Sequence, residues 1–242
     1  MATPKVERSN IGWALWLQWV LANTAGVVVG GLAAIMVIGL SEVVLPLSFG
    51  DPVGAQLGVV ETIALFGLVT VDEVLLAGTI ATLQWFVLLR QVSWARRWVL
   101  ASTIGGVVGL ALGELIAVAV MFFLFIPPSG LLAYSAIGGP PEVLYGAVVA
   151  LVFGITTGIA QWFILRRHLA KSSWWVLASI VASMLGGMLL TVNFKMGMLT
   201  VPIVGALFDA STLLIMPMSG ALFGAITGVA LVWLLRHPAP NP

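Results

Sequence analysis

Glu114 is the side chain whose position in this sequence most suggests chemistry, because it lies within the predicted helix 94–125, in the apolar stretch that follows Arg96 and Arg97. An ionisable group inside a membrane is costly, and its usual roles are proton relay and substrate contact. Counted along a helix from Trp98, Glu114 lies roughly 24 Å from the helix start. A long helix could also bring it near the outer headgroups, so the sequence leaves both positions open.

A second set of polar side chains is expected closer to one membrane surface. Gln84 and Gln161 each precede an arginine, Arg90 and Arg167, by six residues, or roughly 9 Å of helix. The polar residues at comparable depth on the neighbouring helices are Asn23, Ser102 and Ser179. We expect interhelical hydrogen bonds between the two sets, each worth about 0.6–2 kcal/mol. A polar ligand site at this level is the alternative.

The ten tryptophans all fall at the ends of helices that carry the positive charges. One interpretation is an aromatic belt, since indole rings prefer the headgroup region. The other is an aromatic platform in the inner leaflet that holds a flat ligand or a partner helix. The residues of this platform would be Trp19, Trp85, Trp98, Trp162 and Trp175.

The sequence offers no recognisable catalytic or metal-binding constellation. It contains no cysteine, which excludes thiol nucleophiles and thiolate metal sites, and its two histidines stand at predicted helix ends. Phosphate-binding loops, GxSxG and HExxH motifs do not occur. We therefore predict no catalytic residue, no metal and no evident cofactor, although a hydrophobic pigment or a lipid would suit so apolar a chain.

Composition assigns the chain to the membrane proteins. Of its 242 residues, 61% are hydrophobic and only 8% are charged, whereas soluble domains carry about 25% charged residues. Several apolar runs exceed the ~18 residues that suggest a membrane span. We predict an all-α integral membrane protein, a single domain over 1–242 with six transmembrane helices. Their approximate ranges are 13–40, 73–90, 94–125, 142–167, 173–192 and 219–236.

Two long connections, 41–72 and 193–218, are too apolar for solvated loops. For the first we expect a re-entrant or interfacial helix, with Asp51 and Pro52 as its start. The alternative is a single long second helix that begins near Val60 and protrudes from the membrane.

Charge predicts the orientation. Nine of the ten basic residues fall at one side of the predicted spans: Lys5, Arg8, Arg90, Arg96, Arg97, Arg166, Arg167, Lys171 and Arg236. Most acidic residues fall at the other side. The positive-inside rule then predicts a multi-pass protein of the plasma (inner) membrane with both termini in the cytoplasm.

The chain repeats itself. Segments 84–109 and 161–186 share Gln-Trp-Phe, an arginine, Trp-Val-Leu-Ala-Ser and a closing glycine, at an offset of 77 residues (161 − 84). Helix 1 carries a copy of the second half of this unit and helix 6 a copy of the first half, with Leu231 in place of glutamine. We predict three hairpin-like repeats of about 77 residues, the third split between helices 6 and 1, in a bundle with pseudo-threefold symmetry.

Small residues recur at every fourth position on four of the helices. On helix 1 they are Ala22, Gly26, Gly30 and Ala34, and helix 6 carries Gly220, Gly224 and Gly228. Residues so spaced share a helix face, and small faces allow helices to approach closely in lipid. These stripes predict packing seams, with a pore lining as the alternative.

The repeated hairpin resembles a motif of a loose group of uncharacterised bacterial multi-pass membrane proteins. The resemblance lies in Gln84-Trp85, Arg90 and the segment 98–102, and in their copy between Gln161 and Ser179. It implies no particular activity. Six spans in three repeats are also similar to mitochondrial carriers, but no Pro-x-Asp/Glu-x-x-Lys/Arg motif ends an odd-numbered helix.

Two classes of function are therefore expected. The first is a non-catalytic accessory or scaffold subunit, or a binder of lipid, of a hydrophobic ligand or of partner helices. Its partners would be the bilayer and other membrane subunits that contact the outer apolar segments, and not nucleic acid. The second is a proton or small-solute transporter or channel that uses Glu114, although most of its spans lack the midplane polar groups of transporters.

Overall fold

The computed structural model describes residues 12–44, 59–125, 140–198 and 210–239. Within them the chain forms six long α-helices: α1 Trp13–Val44, α2 Val59–Leu89, α3 Trp98–Phe125, α4 Pro140–Leu165, α5 Trp174–Met198 and α6 Ala210–Leu235. A short 3-10 helix, Ser93–Arg97, joins α2 to α3.

The six helices form a closed ring. Each helix packs against the next along the chain, and α6 packs against α1. The contact between α3 and α4 is the most extensive, and the contact between α2 and α3 is the least extensive. The predicted packing of the last helix beside the first is thus confirmed, while the threefold repeat itself stays a prediction.

The glycine stripes lie at the helix contacts. A Cβ atom added at Gly220 would stand 2.8 Å from the backbone oxygen of Asn23, and one at Gly26 would stand 2.8 Å from the Cα of Ile80. A Cβ atom added at Gly113 on α3 or at Gly154 on α4 would stand 3.0 or 2.8 Å from a backbone Cα atom of the next helix. These glycines therefore allow backbone-to-backbone approach, as the seams predicted.

Five of the six described helices are long and apolar enough to cross a membrane. The sixth, α5, offers a shorter apolar segment, Trp174–Leu189, among the residues searched. The protein is accordingly a multi-helix membrane protein, and a crossing by α5 stays a prediction.

Two helices begin earlier than the sequence predicted. Helix α2 starts at Val59 instead of Glu73, so the alternative of one long helix fits, and 59–72 is part of it rather than a separate re-entrant segment. Helix α6 starts at Ala210 and continues through Pro217, because neighbouring helices make such a proline tolerable in an apolar bundle. Helix α5 extends to Met198, and residues 45–58 and 199–209 lie outside the described parts.

The ends that carry the arginines and tryptophans lie together, and we call this the basic end of the ring. Here the chain after α6 pairs with the α4–α5 turn: the amide of Ala170 donates to the carbonyl of His237 at 3.1 Å, and the amide of Ala239 donates to the carbonyl of His168. Buried leucines from α2, α4 and α6 pack around the tryptophans at this end.

Candidate functional site in the helix ring

Three tryptophans meet on the axis of the ring at its basic end, and we call them the tryptophan triad: Trp19, Trp98 and Trp175. Their ring centroids are 5.6, 5.9 and 6.1 Å apart, and each pair meets edge to face. All three side chains are fully buried. This is the favoured geometry for aromatic pairs, and it closes the centre of the ring at this end.

Buried polar partners hold two of these indoles in place. The indole nitrogen of Trp98 donates to Oε1 of Gln84 at 2.9 Å, and that of Trp175 donates to Oε1 of Gln161 at 2.8 Å. Both glutamines lie on the helix that precedes the tryptophan's own helix. The two contacts are therefore alike, as the two sequence copies would require.

Each glutamine also reaches the helix on its other side. Nε2 of Gln84 donates to Oδ1 of Asn23 at 2.8 Å, and Nε2 of Gln161 donates to Oγ of Ser102 at 2.8 Å. These are the interhelical bonds expected from the sequence. The hydroxyl of Ser179 instead donates to the carbonyl of Trp175, one turn earlier on its own helix.

The third indole of the triad donates its hydrogen bond to a threonine instead of a glutamine. In the predicted third repeat, Leu231 stands where the segments 84–109 and 161–186 have glutamine. The indole nitrogen of Trp19 donates to Oγ1 of Thr227 at 2.9 Å, and that hydroxyl donates to the carbonyl of Phe223. All three indole N–H groups thus have a buried acceptor, which a buried tryptophan normally requires.

A cavity of about 210 Å³ lies inside the ring and is lined by residues from all six helices. Its wall is mostly apolar and includes Leu76, Ile80, Phe153 and Phe223. The hydrogen-bonded Asn23, Gln84, Ser102 and Gln161 also face it. The cavity is therefore an apolar chamber with a polar rim near the tryptophan triad.

Two hydroxyl groups in the cavity wall have no hydrogen-bond partner. They belong to Thr157 on α4 and Ser183 on α5, whose side chains are only 5% and 4% exposed. Both residues line the cavity. Buried hydroxyls are almost always hydrogen-bonded in folded proteins, so these two are the positions in the cavity wall where a polar group could still form hydrogen bonds.

Glu114 is not alone among acids in the spans. It is partly buried on α3, and it lies close enough to Asp72 and Glu73 of α2 for their charges to interact. The side chain of Glu73 is only 5% exposed and one of its oxygens has no partner. The predicted helix 73–90 would have left Asp72 and Glu73 at its outer end, whereas α2 begins at Val59 and carries both acids within it.

The five tryptophans of the predicted platform separate into two groups. Three form the buried triad, whereas Trp85 and Trp162 are only partly buried and pack against Phe86 and Phe163. The guanidinium of Arg166 lies over the ring of Trp162 at 5.0 Å. The three triad indoles are thus enclosed by the protein, and a platform that holds a flat ligand or a partner helix stays a prediction.

Several of the residues just described were not singled out from the sequence. Thr227, Thr157, Ser183 and Ser219 are buried polar residues within strongly apolar helices. Thr227 lies one residue before Gly228 and three after Gly224, so its place on the glycine seam was the signal that could have revealed it.

The described part of the chain holds no group of three or more His, Asp or Glu residues arranged to bind a metal ion. Comparisons with known proteins add no relative. No protein-family model, curated protein or solved structure matches this chain. Its function must therefore be inferred from the geometry of its own residues.

Proposed function

We propose that the protein is a non-catalytic membrane protein that holds one hydrophobic molecule with a hydrogen-bonding group, of the lipid or pigment type, in its central cavity. The observation that carries the proposal is the pair of buried, unpartnered hydroxyls of Thr157 and Ser183 in a mostly apolar chamber whose amide groups are already hydrogen-bonded. A carbonyl or hydroxyl oxygen on the molecule would accept hydrogen bonds from them, while its apolar part would fill the rest of the space.

The size and lining of the chamber support a molecule larger than water. A volume of about 210 Å³ exceeds that of an engineered cavity of about 150 Å³ that binds benzene. Phe153 and Phe223 offer aromatic surface to a ring or chain. Binding sites for small molecules are typically apolar with a few placed polar groups, and this chamber has that composition.

Closure of the basic end favours binding over passage. The tryptophan triad and the leucines around it fill the ring below the cavity. The two glutamines at this end bond to the triad and to neighbouring helices, so they do not line a polar path through it. A solute in transit would need this packed cluster to separate. We therefore rank a binding or accessory role above a channel.

Recovery of the bound molecule tests the proposal. The full chain is purified in mild detergent, its absorption spectrum is recorded, and its extract is identified by mass spectrometry. We expect one compound in fixed ratio to the chain. The variant Ala81→Leu, which adds bulk to a cavity-lining position, should lose it, whereas the control Ala111→Leu on the exposed face of α3 should retain it. An empty wild-type protein, or equal occupancy in both variants, would contradict the proposal.

The acidic cluster favours a second candidate, a proton or small-solute transporter. Glu73 is buried, and Glu114 and Asp72 interact with it. Carboxyl groups of this kind carry protons in many transporters. Glu114→Gln and Glu73→Gln would be reconstituted separately in liposomes and tested for proton flux. Flux equal to that of the wild type in both variants would remove this candidate.

We further infer the setting of the protein in the cell. The clustering of Arg90, Arg97 and Arg167 at the basic end supports an inner-membrane protein with this end and both termini in the cytoplasm. The like bonds of Gln84 and Gln161 support a repeated unit and pseudo-threefold symmetry. As an accessory subunit, it would meet partner subunits through its outer apolar segments.

A further inference from the structure

A second cavity opens at the basic end, in the groove between α3 and α4 on the outside of the ring. Its upper part is lined by Trp94, Arg96, Arg97, Arg167 and His168. Its lower part is apolar and is lined by side chains one to two turns further along both helices. The groove thus combines a cationic mouth with an apolar channel, and it lies on the opposite side of the helices from the central cavity.

Three arginines at the mouth carry their charge into solvent. Arg96, Arg97 and Arg167 are exposed, and no ion pair joins them to a carboxylate within the described residues. The His168 ring lies flat on Trp94 with centroids 5.3 Å apart. Arg97, Arg167 and His168 line the same cavity, and desolvation and then the charges of Arg167 and Arg97 lower the pKa of His168.

The apolar channel below the mouth is open to the lipid. Leu100 and Ile104 lie one turn apart on α3 and are 66% and 54% exposed, and Phe163 of α4 faces them across the groove. An apolar channel between two spanning helices can take an acyl chain. A free anion would gain nothing from such a channel, whereas a phospholipid would place its headgroup in the mouth and an acyl chain in the channel.

We propose that this groove is a specific site for an anionic phospholipid, with its phosphate between Arg97 and Arg167 and one acyl chain along Leu100 and Ile104. Guanidinium groups bind phosphate oxygens through paired hydrogen bonds. Charge complementarity thus selects the headgroup, and the apolar wall selects a lipid over a soluble phosphate. This site does not depend on the function proposed for the central cavity.

Other arginines at the basic end serve as an internal comparison. Arg90 is exposed at the same end but does not line the groove. If the surface attracted anionic lipid only through its overall charge, Arg90 and Arg97 would contribute equally, since juxtamembrane charges act additively. If the groove is a specific site, Arg97 should contribute to lipid binding and Arg90 should not.

The test is native mass spectrometry of the full chain in mild detergent, titrated with phosphatidylglycerol and, separately, with phosphatidylcholine of the same chains. The wild type should retain the anionic lipid preferentially. Arg97→Gln and Arg167→Gln should each weaken that binding by about fivefold. Arg90→Gln, which removes the same charge at the same end, should leave it unchanged.

A further variant separates a lipid from a free anion. Ile104→Trp preserves the charge and the apolar surface but fills the channel, so it should also weaken binding of the lipid. Equal retention of both lipids, an equal effect of Arg90→Gln, or competition by inorganic phosphate with no effect of Ile104→Trp would each overturn the proposal.

Discussion

The indole nitrogen of Trp98 donates a 2.9 Å hydrogen bond to Oε1 of Gln84, fourteen residues earlier in the chain, and Trp175 repeats this bond to Gln161 at the same separation. Each bond joins two successive helices near the basic end. The amide of each glutamine then reaches the preceding helix. Each glutamine side chain thus links three helices by hydrogen bonds. Both glutamines also form part of the wall of the central cavity.

Replacement of Gln84 by leucine should destabilise the ring. It would leave the indole N–H of Trp98 and the side-chain oxygen of Asn23 without these partners, which should lower the free energy of unfolding by about 1–3 kcal/mol. The apparent melting temperature in detergent, followed by tryptophan fluorescence, should fall. Gln18→Leu, the same change at an exposed position of α1, should alter it little. Equal effects of the two changes would refute the role given to Gln84.

The geometry of the triad predicts a spectroscopic signature. Trp175→Phe removes one of three indoles in edge-to-face contact and leaves Oε1 of Gln161 unbonded. The near-ultraviolet circular dichroism should lose intensity, and thermal stability should fall. Trp174→Phe, at the neighbouring position whose side chain is 56% exposed, should preserve both. A spectrum unchanged by Trp175→Phe would show that the indoles are not coupled.

Much of the architecture could be predicted from the sequence, because it follows from composition and repetition. The apolar runs indicated a membrane protein, and the copies at Gln84 and Gln161 predicted interhelical bonds at one depth. The burial of Trp98 was harder to predict. Lipid is as apolar as a protein core, so an apolar helix carries little periodicity to tell an inward indole from one at the membrane surface.

Close helix contacts predict which glycines tolerate a methyl group. At Gly220 an added Cβ would meet the backbone of α1 at 2.8 Å, and backbone cannot easily move aside. We expect Gly220→Ala to lower stability by about 1–3 kcal/mol. Gly67→Ala on α2 meets nothing within 4 Å and should be neutral or slightly stabilising. Melting temperatures of the two variants would compare them, and a stable Gly220→Ala protein would argue against the observed approach of α6 to α1.

The orientation of the chain in the membrane can be measured by cysteine labelling. The chain has no cysteine of its own, so an introduced one is its single site for a thiol reagent. Single cysteines at Gln91, in the α2–α3 turn, and at Ser135, in the connection after α3, would be treated with an impermeant maleimide on intact cells. We expect labelling at position 135 only, and at position 91 after lysis. The reverse pattern would place the basic end outside and would contradict the positive-inside assignment.

The cavity and its hydroxyls could not be predicted from the sequence. Thr157 and Ser183 are small, isolated polar residues in apolar helices, and most such residues bond to the carbonyl four residues earlier. Only the packed ring reveals that these two face an open volume without a partner. Likewise, the sequence left open whether the second helix begins at Glu73 or near Val60, and α2 begins at Val59.

The double variant Thr157→Val, Ser183→Ala is the sharpest test of a molecule bound in the central cavity. Both changes remove a hydroxyl that has no partner among the described residues and leave the shape of the cavity nearly intact. We expect the purified variant to be at least as stable as the ligand-free wild type, while the amount of co-purified hydrophobic molecule falls about tenfold or more. Undiminished occupancy of the variant, measured by mass spectrometry of the extract, would contradict it.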